Sequence, residues 1–160
     1  MVIALTIEEQ NILQLLETVT DPEIPVLTIH DLGILRGATI KEDKVEVIIT
    51  PTYNGCPAMD MIAMNIKLKL AEHGYKHVTI TSVLSPAWTT DWMSKEGKRK
   101  LKEYGIASPD KRFAIVKDGV ECPQCNSLNT KLISEFGSTA CKALYQCNDC
   151  KEPFDYFKCH

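Results

Sequence analysis

Two Cys-x-x-Cys pairs, Cys122/Cys125 and Cys147/Cys150, are separated by 21 residues. Each short turn lets two thiolates converge on one ion, and two such turns supply a closed tetrahedral shell. Four sulfurs leave no open coordination position, so the expected ion folds the chain around itself and activates no water. Structural Zn2+, one per chain, is the predicted occupant; an iron of the rubredoxin type is the alternative. Asn126 and Lys151 follow the pairs at the knuckle position that favours positive φ, which asparagine tolerates better than lysine. Cys141 and Cys159 are surplus to this set. Cys141 reads as a small buried residue between strands, and Cys159, next to His160, as incidental.

The seventh cysteine, Cys56, lies in Thr50-Pro51-Thr52-Tyr53-Asn54-Gly55-Cys56-Pro57, where a strand gives way to a helix. Unpaired N–H groups and the positive dipole end at a helix start favour a thiolate. The sulfur is therefore expected to be partly ionised and reachable at neutral pH. Asp21, Glu23 and Asp31 stand in a preceding loop that can fold back toward it. A carboxylate there opposes thiolate formation, yet carboxylate and thiolate together can hold a metal transiently. A capping cysteine with solvated loop acids fits the same residues. Cys56 has no second cysteine at Cys-x-x-Cys spacing for disulfide exchange. His30, His73, His77 and His160 show no Glu-x-x-His pairing of the di-iron oxygenase kind. No catalytic residue or catalytic metal centre is expected.

The elements that must position these groups are legible from periodicity. Thr6 and Glu9 form a capping box, after which Ile12, Leu15, Leu16 and Val19 share one helical face until Asp21-Pro22. Ile34 to Ile40 and Val45 to Thr50 alternate as two strands around Glu42-Asp43. A second helix starts at Pro57 and stops at Gly74, with Met59, Ile62, Ala63, Ile66 and Leu70 apolar. Val78, Ile80 and Val83 form a third strand, and a basic helix is expected over Asp91 to Tyr104. Trp88 and Trp92 are spaced for one helical face, either as core or as an exposed pair at a partner interface. The order helix–strand–strand–helix–strand predicts an α+β sandwich with helices on one face of a small sheet. That unit, with the basic helix appended, is expected over residues 1–106. Residues 107–117 read as a linker and 118–160 as a zinc ribbon with one hairpin, Thr130 to Phe136 and Ala143 to Gln146. So short a unit holds little core, so a metal is expected to stabilise it.

No apolar run approaches the ~18 residues of a membrane span, and no basic segment with an apolar run opens the chain. Without an export signal, paired cysteines favour metal binding over disulfides, and a cytoplasmic location with no membrane partner is expected. The net charge of −3 argues against a nucleic-acid partner, since nonspecific phosphate binding needs a basic face. Lys95 to Arg112 does hold seven basic and three acidic residues. That run reads as a solvated helix face, or else as a docking patch for an acidic partner.

Asp21-Pro22-Glu23-Ile24-Pro25, Asp31-Leu32-Gly33 and Gly55-Cys56-Pro57 resemble, in order, the motifs of the SufT-like iron–sulfur assembly domain family, over about residues 6 to 85. The resemblance implies a small α+β domain associated with cluster delivery, with Cys56 as functional thiol and Asp21, Glu23 and Asp31 in support. Trp88-Thr89-Thr90-Asp91-Trp92-Met93-Ser94, Gly97-Lys98-Arg99-Lys100-Leu101, Tyr104-Gly105-Ile106, the segment from Phe136 to Tyr145 and Glu152-Pro153-Phe154 resemble the PaaD (PaaJ) family. These are small accessory subunits of the phenylacetyl-CoA epoxidase (oxygenase) system, and the resemblance spans almost the whole chain. It implies a maturation factor in aerobic phenylacetate degradation, delivering or helping assemble iron or an iron–sulfur cluster on the oxygenase or its reductase. The implied partners are those subunits and the iron–sulfur assembly machinery. The alternative is a structural or regulatory subunit of the oxygenase complex with no metal-delivery role. Cys159 departs from the family pattern.

Overall fold

The computed structural model describes residues 4–108 and 119–158. Most of the expected linker, with Cys159 and His160, lies outside the described residues. Two compact units emerge, residues 1–94 and 95–160.

In the first unit, helix α1 (Ile7–Leu16) opens with the expected capping box. The Glu9 carboxylate accepts from the Thr6 amide and also from the Ile40 amide, so the cap ties the helix to the sheet. α1 stops at Leu16, short of Asp21-Pro22, with Glu17 as C-cap. The β-branched run Thr18-Val19-Thr20 disfavours further helix. Thr18 turns its hydroxyl back to the Leu15 carbonyl, and Thr20 bridges to Thr28. Val19 still reaches the core, from outside the helix.

Strands β1 (Leu35–Lys41) and β2 (Lys44–Ile49) pair antiparallel around Glu42, which takes φ 58. Helix α2 (Ala58–Glu72) then crosses over so that β3 (His77–Ser82) pairs parallel to β2, giving sheet order β1-β2-β3. Pro57 is the N-cap, and Gly74 leaves the helix at φ 92. Ile12 and Leu16 of α1 and Ile62, Ile66 and Leu70 of α2 are fully buried, as are Val45, Val47 and Ile49 on alternate positions of β2. Each such side chain contributes roughly 1.5–3 kcal/mol of burial. This is the expected helix-on-sheet sandwich. One feature was not foreseen: Met61, Met64 and Leu68 form a second apolar stripe on α2, half exposed.

After β3 the chain returns as a strap over Asp31-Leu32-Gly33. The Trp88 Nε1–H donates to the Leu32 carbonyl at 2.7 Å, and Ser94 bonds Asp31 through its amide and its hydroxyl. Gly33 has φ +72, and a Cβ there would stand 2.4 Å from the Trp92 carbonyl oxygen. The expected continuous helix from Asp91 is broken. A 3₁₀ turn covers Thr90–Trp92, Met93 is extended at ψ 138, and helix α3 begins only at Lys95. Trp88 and Trp92 therefore share no helical face. Trp88 is buried, and Trp92 lies beneath the Arg36 guanidinium, 3.8 Å from the ring centre.

The second unit comprises α3 (Lys95–Glu103), β4 (Ile106–Ala107), β5 (Thr130–Ser134), β6 (Lys142–Cys147) and β7 (Pro153–Phe157). Its sheet runs β4-β7-β6-β5. The expected hairpin is present as β5 and β6, with β5 carrying a register shift between Leu132 and Ser134 and ending at Ser134. β7 and β4 were not foreseen. Ile106 and Ala107 pair with Asp155 and Tyr156, and α3 and β4 fall within the second compact unit. The basic character of α3 is partly neutralised locally, with Arg99 paired to Glu96 and Glu103, and Lys102 to Glu121 at 2.7 Å.

Candidate functional site

The four predicted cysteines converge. The Sγ atoms of Cys122, Cys125, Cys147 and Cys150 all lie within 4.8 Å of one another. Cys122 Sγ is 3.7 Å from Cys150 Sγ, and Cys125 Sγ is 3.6 Å from Cys147 Sγ. A tetrahedral ion with metal–sulfur bonds of about 2.3 Å sets its sulfurs roughly 3.8 Å apart. The donor set fits one such ion; a polynuclear cluster would hold its cysteines farther apart. Both knuckles have the expected backbone, with Asn126 at φ 61 and Lys151 at φ 68. In the first, the Asn126 amide donates to the Cys122 carbonyl, and the Cys122 amide to the Ser127 carbonyl. In the second, the Cys147 amide donates to the Glu152 carbonyl.

Cys122 and Cys147 are fully buried, while Cys125 and Cys150 face solvent. The buried side rests on Ala107 and Phe154, flanked by Val120, Tyr145 and Tyr156. Tyr145 stacks on Phe154 and meets Tyr156 edge-on. Without metal the crowded thiols share their protons unequally. The Cys150 and Asp149 amides hold Cys147 down to about 7, against burial. The Glu152 amide pulls Cys150 down, but burial and the neighbouring sulfurs outweigh it and push the thiol up to about 12. A divalent cation relieves that crowding by replacing the protons.

Cys141 is buried, as expected, and its sulfur lies 3.0 Å from Thr139 Oγ1, outside the four-sulfur group.

Cys56 stands at the corner before α2, half-buried, after Gly55 at φ 79. The expectation of a sulfur partly ionised at neutral pH is corrected. Burial pushes the Cys56 thiol above its ordinary value, and the Glu23 and Asp21 carboxylates add to the rise. Hydrogen bonds from the Ala58 amide and the Tyr53 side chain oppose them without prevailing. Here desolvation outweighs the helix start. Glu23 and Asp21 thus act on the sulfur. Asp21 is buried, and its Oδ1 accepts the Glu23 and Ile24 amides at 2.8 Å each. Asp31, the third acid, is also buried. Its carboxylate accepts from the Thr28 amide at 3.2 Å and the Ser94 hydroxyl at 2.8 Å, which makes it a loop clasp. Tyr53 escaped the sequence reading, although its place three residues before the cysteine in the same turn was a usable signal.

The raised thiol has a measurable consequence. Alkylation of Cys56 in the native protein, read on its own peptide by mass spectrometry, is expected to rise about tenfold per pH unit and to level off only above pH ~8.5, the midpoint of an unstructured cysteine. A plateau reached at lower pH would mean that the corner stabilises the thiolate.

Two family models match the chain, one per region. Residues 9–81 match the model described as iron-sulfur cluster assembly protein, and residues 108–158 the PaaD zinc beta ribbon domain. A protein of Escherichia coli K12, named as one of the subunits of a "Putative 1,2-phenylacetyl-CoA epoxidase", is 50% identical over 147 residues, covering 91% of this chain and 89% of that protein. The chain belongs to the PaaD family. Other relatives match this PaaD-family chain over little more than half of its length. An "Fe-S protein maturation auxiliary factor" of Porphyromonas gingivalis is 38% identical over 95 residues, spanning 58% of this chain and 90% of that protein. A crystal structure described as "Domain of Unknown Function DUF59 from Bacillus anthracis" superposes with a TM-score of 0.54 at 28% identity, covering 58% of this chain and 90% of the other. Among the described residues no helix is long and apolar enough to cross a membrane.

Proposed function

We propose that this chain is a maturation protein of the phenylacetyl-CoA epoxidase system, acting in the cytoplasm and without catalytic activity of its own. In this reading Cys56 takes up iron or an iron–sulfur cluster transiently and passes it to the oxygenase or its reductase. The ribbon, closed by one structural Zn2+ on Cys122, Cys125, Cys147 and Cys150, docks on the recipient, and the iron–sulfur assembly machinery supplies the cargo. The observation that carries the reading is that one chain joins the two matched regions, with Cys56 in the first and Asp21 and Glu23 acting on its sulfur. The same carboxylates that add to the rise of the thiol favour an arriving cation. As the sulfur–iron bond forms, the thiol proton leaves to water, and the two carboxylates balance the charge of the metal. Asp31 contributes by holding the loop that carries the acids.

The test is co-expression with the oxygenase and reductase subunits, followed by iron and sulfide analysis of each purified subunit. Cys56→Ser, made without the native protein, is expected to leave the fold and one zinc per chain intact while lowering iron in a recipient at least several-fold. Full iron occupancy in every subunit would sink the delivery role. The elevated Cys56 thiol favours that second outcome by one specific route: a neutral sulfur that accepts from the Ala58 amide and only supports the corner before α2. The chain would then be a structural or regulatory subunit of the oxygenase complex.

A further inference from the structure

The outer face of α2 presents Pro57, Met61, Met64, Leu68 and Ala71, all exposed, the three larger side chains at 52%, 57% and 56%. At 3.6 residues per turn they fall within a stripe about 80° wide, on the side away from buried Ile62, Ile66 and Leu70. Met64 lies at its centre. The other members stand seven and three residues before it and four and seven after it, so the order is nearly the same read in either direction. Self-complementarity of this kind is what a two-fold contact requires, because each surface must match its own copy.

We infer that α2 is the contact face of a weak antiparallel homodimer with Met64 on the two-fold axis. That register sets Met61 against the partner's Leu68 and Pro57 against the partner's Ala71. The charges agree with it. Asp60 and Lys67 are both exposed and flank the stripe on the same side, four residues before and three after Met64. Antiparallel pairing brings each Asp60 to the partner's Lys67, and the contact repeats across the axis. On the other flank Glu72 lies eight residues beyond the axis, so the two copies of it stay far apart. Unbranched methionines adapt to one another without a rigid fit. One helical face is below the area of a standard stable interface, so the dimer depends on concentration. Cys56 of one copy and its counterpart fall at opposite ends of the contact, about 24 Å apart along the helices at 1.5 Å per residue. Two thiols at that separation cannot share one iron–sulfur cluster. The inference does not depend on what Cys56 carries.

Sedimentation of the full chain between micromolar and about millimolar concentration tests this weak-interface regime. The average mass is expected to rise from 17.9 kDa toward twice that value. Met64→Glu, which opposes two carboxylates at the axis, is expected to remain at one chain throughout with unchanged helix content. Asp60→Lys should weaken association, and combining it with Lys67→Asp should restore it, because the reciprocal pairs are re-formed with their signs exchanged. A native chain that stays monomeric across the range would overturn the inference. So would a double variant that fails to recover, or a Met64→Glu variant that still dimerises.

Discussion

Cys147→Ser is expected to unfold the second unit while the first stays folded. Cys147 ends β6, is fully buried, and its amide closes the second knuckle on the Glu152 carbonyl. The buried cluster around it consists of Ala107, Cys122, Cys147 and Phe154, with Val120, Tyr145 and Tyr156 partly covered. Even with Leu101, Ile106, Ala143 and Phe157 buried elsewhere in the unit, so small a core cannot offset the entropy of ordering a four-stranded sheet, at roughly 1–2 kcal/mol per residue for backbone alone. A structural four-cysteine zinc contributes an apparent ~10–16 kcal/mol at neutral pH. Removing one ligand leaves a hydroxyl that binds zinc poorly, so most of that contribution disappears. Metal analysis should fall from one zinc per chain to near none. Hydrogen exchange should become fast in β6 and β7 while amides of β2 remain protected. Cys141→Ser is the matched control: it removes an equally buried sulfur outside the four-sulfur group and should cost only about 1 kcal/mol. Protected β6 amides in a zinc-free Cys147→Ser protein would show that the sheet stands without its ion.

Gly33→Ala is expected to cost the first unit about 3–5 kcal/mol, a large part of the 5–15 kcal/mol typical of a domain. Two independent penalties meet there. The backbone is at φ +72, where a Cβ costs roughly 1 kcal/mol. The new methyl would also lie 2.4 Å from the Trp92 oxygen and 2.7 Å from its carbonyl carbon, so backbone must move. The strap over this loop carries the Trp88–Leu32 and Ser94–Asp31 hydrogen bonds, which loosen with it. Gly74→Ala separates the two penalties. Gly74 is at φ 92 but nothing lies within 4 Å of its absent Cβ, so only the strain of about 1 kcal/mol applies. Thermal melts of the two variants should differ by many degrees; equal shifts would remove the close approach at Gly33 as a cause.

The Gly33 loop also marks how far the sequence could be read. Asp31-Leu32-Gly33 stood out as a motif beside Cys56, and its acid was assigned to the sulfur. That acid accepts from Thr28 and from Ser94, the latter a partner 63 residues away that no local pattern announces. Period-two and period-3.6 patterns located β1, β2, α1 and α2 because each of those elements buries one regular face. β4 could not be seen, since two residues have no period and their pairing with β7 is non-local. The break at Met93 was hidden for a similar reason: the sequence around it is compatible with helix, and contacts with Asp31 and Gly33 override it. The four sulfurs and both positive-φ knuckle residues were readable because metal geometry fixes spacing directly. The state of Cys56 was not, because a helix start and burial push a thiol in opposite directions and sequence reports only the first.

The parallel pairing of Ile106–Ala107 with Asp155–Tyr156 sets an order of events during synthesis. Translation at about 5–20 residues per second delivers β7 several seconds after β4. During that interval Cys122 and Cys125 are made as a bare two-thiol clip, with Cys147 and Cys150 still to come. A soft metal caught early is held by half a shell and can be exchanged. Commitment to the final ion therefore waits for the second clip, which is made within a few residues of the β7 strand.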